Sequence, residues 1–296
     1  MLTRDSRASD LRDKVYALLG LLTSTERAAC GIQPNYTSSN TKADVYIEAA
    51  KAGLIGGKDI WFVLGEVSGA ELDAGLPSWA PNWCQGRESH ISMFFENGPF
   101  DAGGKVLSVP EFLEADRVMK LRGFSLGAID RIGEVDEDHN QRSSEIIESW
   151  ARYLKRDTQG YFLPHELVQF FRTISLNTYD EEDLPDPDGD RKIFYESWVR
   201  KLLILTSGKG GRRHCLYRRF FRLSNGQMGL GCRRAKQGDV ACIVPGCKIP
   251  LLIRKSPRNK GRYSFIGECF VFDFMHGETL DMYRNGKTQE TIIYVE

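Results

Sequence analysis

Arg218-Arg-Phe-Phe-Arg-Leu-Ser-Asn-Gly-Gln-Met-Gly-Leu-Gly231 reads as two short strands joined by a tight turn. Residues 220–223 and 227–230 flank Asn225-Gly226, two residues that tolerate positive φ, and this predicts a hairpin. The same pattern recurs downstream. Residues 240–244 and 248–254 flank Pro245-Gly246, and residues 263–272 follow the Arg258-Asn-Lys-Gly261 turn. Five such strands predict an antiparallel β-meander or small β-barrel over 211–280, with a tail at 281–296.

Upstream the period changes from strand to helix. A helix beginning at Ser143 or Ser144 would bury Ile146, Ile147, Trp150, Tyr153 and Leu154. Pro164 suits the first turn of another, which carries Leu167, Phe170, Phe171 and Ile174. A third is expected over 191–205, after an acidic, proline-bearing loop at 180–190. Together these form a helical segment over 136–210. Residues 84–135 read as loop followed by extended chain at 105–109 and 118–135. Met119, Leu121, Gly123 and Ser125 do not alternate cleanly with polar residues, so a bulge or bend is expected at Gly123 or Gly127. The fold class is therefore α+β.

At the other end, Ala8-Ser-Asp-Leu-Arg-Asp-Lys-Val-Tyr-Ala-Leu-Leu-Gly-Leu21 predicts a capped helix. Asp10 would accept a backbone N–H, Asp13 places negative charge in the first turn, and Gly20 stands where the helix should end. Its apolar face would be Leu11, Val15, Leu18, Leu19 and Leu22. A second helix is expected over 41–55, capped by Ser39, Asn40 or Thr41. Leu76-Pro-Ser-Trp-Ala-Pro-Asn-Trp83 has two prolines that bar a regular helix and two tryptophans that favour burial, so it predicts an ordered, packed loop. Residues 1–83 thus form one helical segment.

Several function classes find no support. Forty Lys and Arg balance forty Asp and Glu, so net charge points to no partner. No apolar run reaches the roughly 20 residues a membrane-spanning helix needs, and no secretory signal is evident. Seven cysteines, an odd number spread along the chain, predict free thiols in a reducing, cytoplasmic compartment. No Cys-x-x-Cys pair suggests a metal, no Gly-x-Ser-x-Gly elbow a nucleophile, and Ser207-Gly-Lys-Gly-Gly-Arg-Arg213 lacks the phosphate-loop spacing. The expectation is no enzyme, no cofactor and no metal.

Charge is uneven along the chain. Residues 200–262 hold seventeen Lys or Arg and one acid, Asp239, whereas residues 134–196 hold sixteen acids and seven bases. Arg212, Arg213, Arg218, Arg219 and Arg222, set among aromatic residues, would suit a nucleic-acid- or phosphate-binding surface. The alternative is that the basic strands dock on the acidic helical segment or on another domain, which needs no ligand.

These segments resemble the fungal heterokaryon-incompatibility (HET) proteins, in the family's order. Residues 8–21 are similar to the junction motif that follows the HET domain, with Asp10, Arg12, Asp13, Lys14, Tyr16 and Gly20 in place and Leu11 where proline is usual. Pro77, Trp79, Pro81 and Trp83 fall in a second motif. Phe220, Phe221, Gly229, Gly231, then Gly238-Asp239, then Gly267-Glu268 match the C-terminal module, which closes on Met275-His-Gly-Glu278. The likeness covers residues 7–83 and 118–280. The HET domain's own signatures are absent from this sequence. The resemblance implies a non-catalytic supporting or regulatory region for a HET effector, in cis or in an intact relative. Its context would be non-self recognition and programmed cell death.

Overall fold

The computed structural model describes residues 6–56, 60–65, 67, 75–84, 100–106, 108–136, 143–177, 196–198, 200, 215 and 217–296. The acidic loop, most of the third expected helix, Arg212 and Arg213 lie outside these residues.

The β-structure is built on β2 (Val118–Ile132), with β3 (Arg218–Leu223), β4 (Met228–Cys232), β5 (Val240–Ile243), β6 (Leu251–Lys255) and β7 (Arg262–Val271). Antiparallel pairings run β2–β3–β4–β7–β6–β5 and then back to β2, so the strands form a ring rather than a simple meander. β2 serves both sides of the seam, meeting β5 through residues 124–128 and β3 through residues 129–132. The register slips between Ser125 and Gly127, which places the expected bulge at Gly127. The short β1 (Glu111–Leu113) and β8 (Thr291–Val295) flank the first half of β2. β8 also runs parallel to the start of β7. The segment read as a tail therefore contributes a strand. In the β3–β4 hairpin, Phe221 opposes Gly229, and only Gly226 takes positive φ (94°). Asn225 instead donates its Nδ2 to Leu126 O at 2.9 Å, tying the turn to β2.

The strands lack clean alternation because both faces are covered. Phe124, Ile129, Phe221, Ile243, Leu252 and Ile266 fill the ring. Phe220, Leu230 and Phe270 point to a second core shared with helices. Burial on two sides favours continuous apolar runs over an alternating pattern.

α5 (Ser143–Ala151) and α6 (Pro164–Ile174) cover the outer face. Phe220 meets Phe170 edge to face at 5.1 Å and stacks on Trp150 at 6.3 Å. Residues 196–198 are helical, and Trp198 packs on Phe171 at 4.9 Å.

The N-terminal segment is a second helical layer. The junction stretch forms a single α-turn, α1 (Asp13–Tyr16), continued by a 3₁₀ turn, Ala17–Leu21. This corrects the expected longer helix. The 3₁₀ turn runs through Gly20, and Leu22 leaves it extended. Val15, Tyr16 and Leu19 are buried, whereas Leu11 and Leu22 face solvent. Next comes α2 (Ser24–Cys30), which the periodicity did not disclose although its signals are present. Thr23 and Glu26 form a reciprocal capping box, and Gly31 closes the helix at φ 69°. α3 (Lys42–Gly56) begins at Thr41, whose Oγ1 accepts from Asp44 N at 3.3 Å. α3 faces two ways: Val45 and Tyr46 pack with α1, while Ile47, Ala50 and Leu54 join the main core. α4 (Trp61–Leu64) is one turn, and α7 (Glu278–Arg284) precedes β8. Among the described residues no helix is long and apolar enough to cross a membrane.

Candidate functional site

At the junction, Asp10 does not cap a helix. Its carboxylate accepts from Arg12 N at 2.9 Å and holds the Arg12 guanidinium, with Nη2 at 2.7 Å from Oδ2. Arg12, so oriented, donates Nη1 to Thr37 O and Asn40 O, both at 2.9 Å. Tyr36 donates its hydroxyl to Asp13 Oδ1, and Tyr16 accepts from Asn40 Nδ2 at 2.9 Å. Lys14 donates to Ser6 O. These side chains clamp residues 35–40 and set the start of α3. Tyr46 of α3 donates back to Leu11 O at 2.9 Å.

The Leu76–Trp83 loop closes the next joint. Pro77 and Pro81 are buried, as is Trp79, whose Nε1 donates to Arg117 O at 3.3 Å and whose ring packs on Phe112. Trp83 meets Tyr46 edge to face at 5.1 Å. Ser78 binds the end of the chain: its N–H donates to Glu296 O at 3.1 Å, and its Oγ accepts from Phe265 N at 2.7 Å.

The basic strand holds the largest departure from the sequence reading. Arg218, Arg219 and Arg222 do not form an exposed cationic surface. Arg218 is 2% exposed and donates Nη2 to Glu268 Oε1 at 2.7 Å, with Glu268 wholly buried. Arg222 forms a two-pronged pair with Glu166 of α6, at 2.5 and 2.6 Å, and also donates to Tyr153 O. Arg219 donates Nε to Gly133 O at 2.7 Å and Nη1 to Ala235 O at 2.9 Å. A third pair joins Arg254 to buried Asp239 at 2.7 Å, and Asp239 also accepts from Lys236 N. Beside it, Gly238 N donates to Ile129 O and Ile129 N donates to Asp239 O, which fixes β2 to the β4–β5 connection.

The glycines of the module allow close approach. A Cβ on Gly229 would lie 2.2 Å from Phe221 Cζ and 2.6 Å from Phe270 O. Gly229 and Gly231 therefore let the Phe221 ring lie flat across β4. Gly267 stands opposite Leu252, beside the register slip between β6 and β7. Sequence reasoning missed Glu166, because an acid on the apolar face of α6 gives no sign of its partner some fifty residues away.

Burial pushes the Cys232 thiol up to about 11 and Cys242 up to about 12, and raises Cys215 and Cys269 as well. At neutral pH these four remain protonated, which removes their nucleophilic and ligating form. All seven cysteines are unbridged. Among the described residues no group of three or more His, Cys, Asp or Glu gathers to hold a metal.

Glu166 carries a pH signature. Burial pulls its carboxyl up, but the Arg222 pair and the Lys155 N–H outweigh that, and the net shift is down. Its contribution to stability is complete above the unfolded value of about 4.3 and is lost as pH falls through the lower folded value. Glu166→Gln is expected to flatten the acid limb of a Tm-against-pH curve. An acid limb parallel to that of the unsubstituted protein would remove this assignment.

The strand ring, its internally paired arginines and the covering helices form one packed arrangement. Residues 206–287 match the family described as the Het-6 beta-barrel domain. The chain is 26% identical to heterokaryon incompatibility protein 6, OR allele, of Neurospora crassa over 347 aligned positions, covering 91% of this chain and 49% of that protein. The chain thus spans about half the length of the curated relative it matches. No solved structure matches it.

Proposed function

We propose that this chain is a non-catalytic supporting and regulatory region of a HET-type protein acting in fungal heterokaryon incompatibility. In this role it holds a HET effector domain, in cis or in an intact relative, and lets it engage programmed cell death. The observation that carries the reading is the use of the motif residues. Arg12, Trp79, Arg218, Phe220, Arg222 and Asp239 make contacts within the chain, which builds a rigid platform. Paired, buried arginines also leave β3 poorly suited to reading a polyanion, since they would have to exchange a buried carboxylate for phosphate.

Two measurements on one fungal host test the proposal. Expression of residues 1–296 alone is expected to leave cells viable, and a co-expressed HET domain is expected to co-purify with the chain. Robust cell death caused by residues 1–296 alone, or no association with a HET domain, would overturn it.

A further inference from the structure

The turn between β6 and β7 has cations that the fold does not use. Arg254-Lys-Ser-Pro-Arg-Asn-Lys-Gly-Arg262 holds five basic residues and no acid. Arg254 is committed to Asp239, and Arg262 to Glu114 and Glu296. Lys255, Pro257, Arg258, Asn259, Lys260 and Gly261 are exposed, and Ser256 is half-buried. The Ser256 hydroxyl oxygen accepts from the backbone N–H of Arg258 at 3.2 Å and of Asn259 at 3.1 Å. Ser256-Pro257 is also the one place in the 296 residues where proline follows serine or threonine.

We propose that Ser256 is a phosphorylation site for a proline-directed serine/threonine kinase. Proline at the next position has no N–H. A kinase groove that offers that N–H no acceptor therefore admits this segment and penalises others. Arg258 and Lys260 add cations on the C-terminal side, where an acidic groove can bind them. The turn's own hydrogen bonds are open to water, so local opening into an extended acceptor is inexpensive compared with global unfolding.

In the transfer, the Ser256 hydroxyl oxygen bonds to the γ-phosphorus of ATP and the bond from that phosphorus to the bridging β–γ oxygen breaks. The hydroxyl proton passes to the kinase's catalytic carboxylate, and ADP leaves. The product adds a charge of about −1.5 to −2. Two backbone N–H groups already point at this side chain, and Lys255, Arg258 and Lys260 offset the new charge. The fold accommodates the modification.

The test incubates the folded 296-residue chain with a purified cyclin-dependent-class kinase and ATP·Mg, and maps phosphate by mass spectrometry. Incorporation at Ser256 is expected, with loss in Ser256→Ala and a drop of about tenfold or more in Pro257→Ala. Both substitutions lie in an exposed turn and are expected to keep the Tm of the unsubstituted chain, which is checked in parallel. No incorporation into the folded chain would overturn the proposal. So would incorporation that persists in Ser256→Ala, or incorporation only after heat unfolding.

Discussion

Glu268→Ala is expected to destabilise the protein by about 3–5 kcal/mol, the range for removing one member of a buried ion pair. Glu268 is wholly buried and Arg218 is 2% exposed, so the substitution removes a carboxylate that the guanidinium holds at 2.7 Å in the interior. Most of the loss is the cost of leaving a buried charge less well compensated, since the pair itself adds little net stability over apolar packing. It follows that Arg218→Met combined with Glu268→Leu should recover much of what Glu268→Ala loses. Chemical denaturation of the three variants checks this. A double variant as unstable as Glu268→Ala would contradict the assignment. The exposed Arg262–Glu114 pair serves as contrast, because solvent screens it and its loss should cost far less than that of the buried pair.

Phe220→Ala should have an effect of similar size, about 3–5 kcal/mol for deleting a fully buried aromatic side chain. The location matters as much as the size. Phe220 leaves β3 on the side opposite Phe221 and is held between Trp150 of α5 and Phe170 of α6. Its removal opens a cavity at the junction of helices and strands, and the loss should appear first in that layer. Hydrogen exchange is expected to accelerate over α5 and α6 before β5 and β6. Uniform acceleration across the chain would instead mean that Phe220 is an ordinary core residue without a joining role. Glu166, on the same face of α6, reinforces the joint through Arg222.

Much of the architecture was legible because it is encoded locally. Asn225-Gly226 marks its hairpin, Pro164 starts α6, and Leu167, Phe170, Phe171 and Ile174 trace a face that is indeed buried. The α+β class follows from the change of period. A small barrel was one of the two expected forms, but which strands close the ring was not legible. β2 meets β3 and β5 across roughly a hundred residues of chain, and no local pattern records such a partner. Thr291-Ile-Ile-Tyr-Val295 is rich in β-branched residues and could have been read as a strand; its place in the tail concealed it. The charge bias was visible, but its meaning was not. An arginine on a strand looks the same in sequence whether it faces solvent or a buried carboxylate, and only the position of Glu166 and Glu268 decides. Arg218 and Arg222 therefore move from a candidate binding surface to the interior, and half-buried Arg219 is held by the Gly133 and Ala235 carbonyls.

β3 is placed to join the helical layers and the strand ring into one cooperative unit. Urea unfolding of the full chain, followed in parallel by tryptophan fluorescence and far-ultraviolet circular dichroism, tests it most directly. Trp79, Trp150 and Trp198 are buried in the shared core and report on the joint. The two signals are expected to fall together in one transition, and the transitions to separate in Phe220→Ala. Two separated transitions in the unsubstituted chain would contradict it.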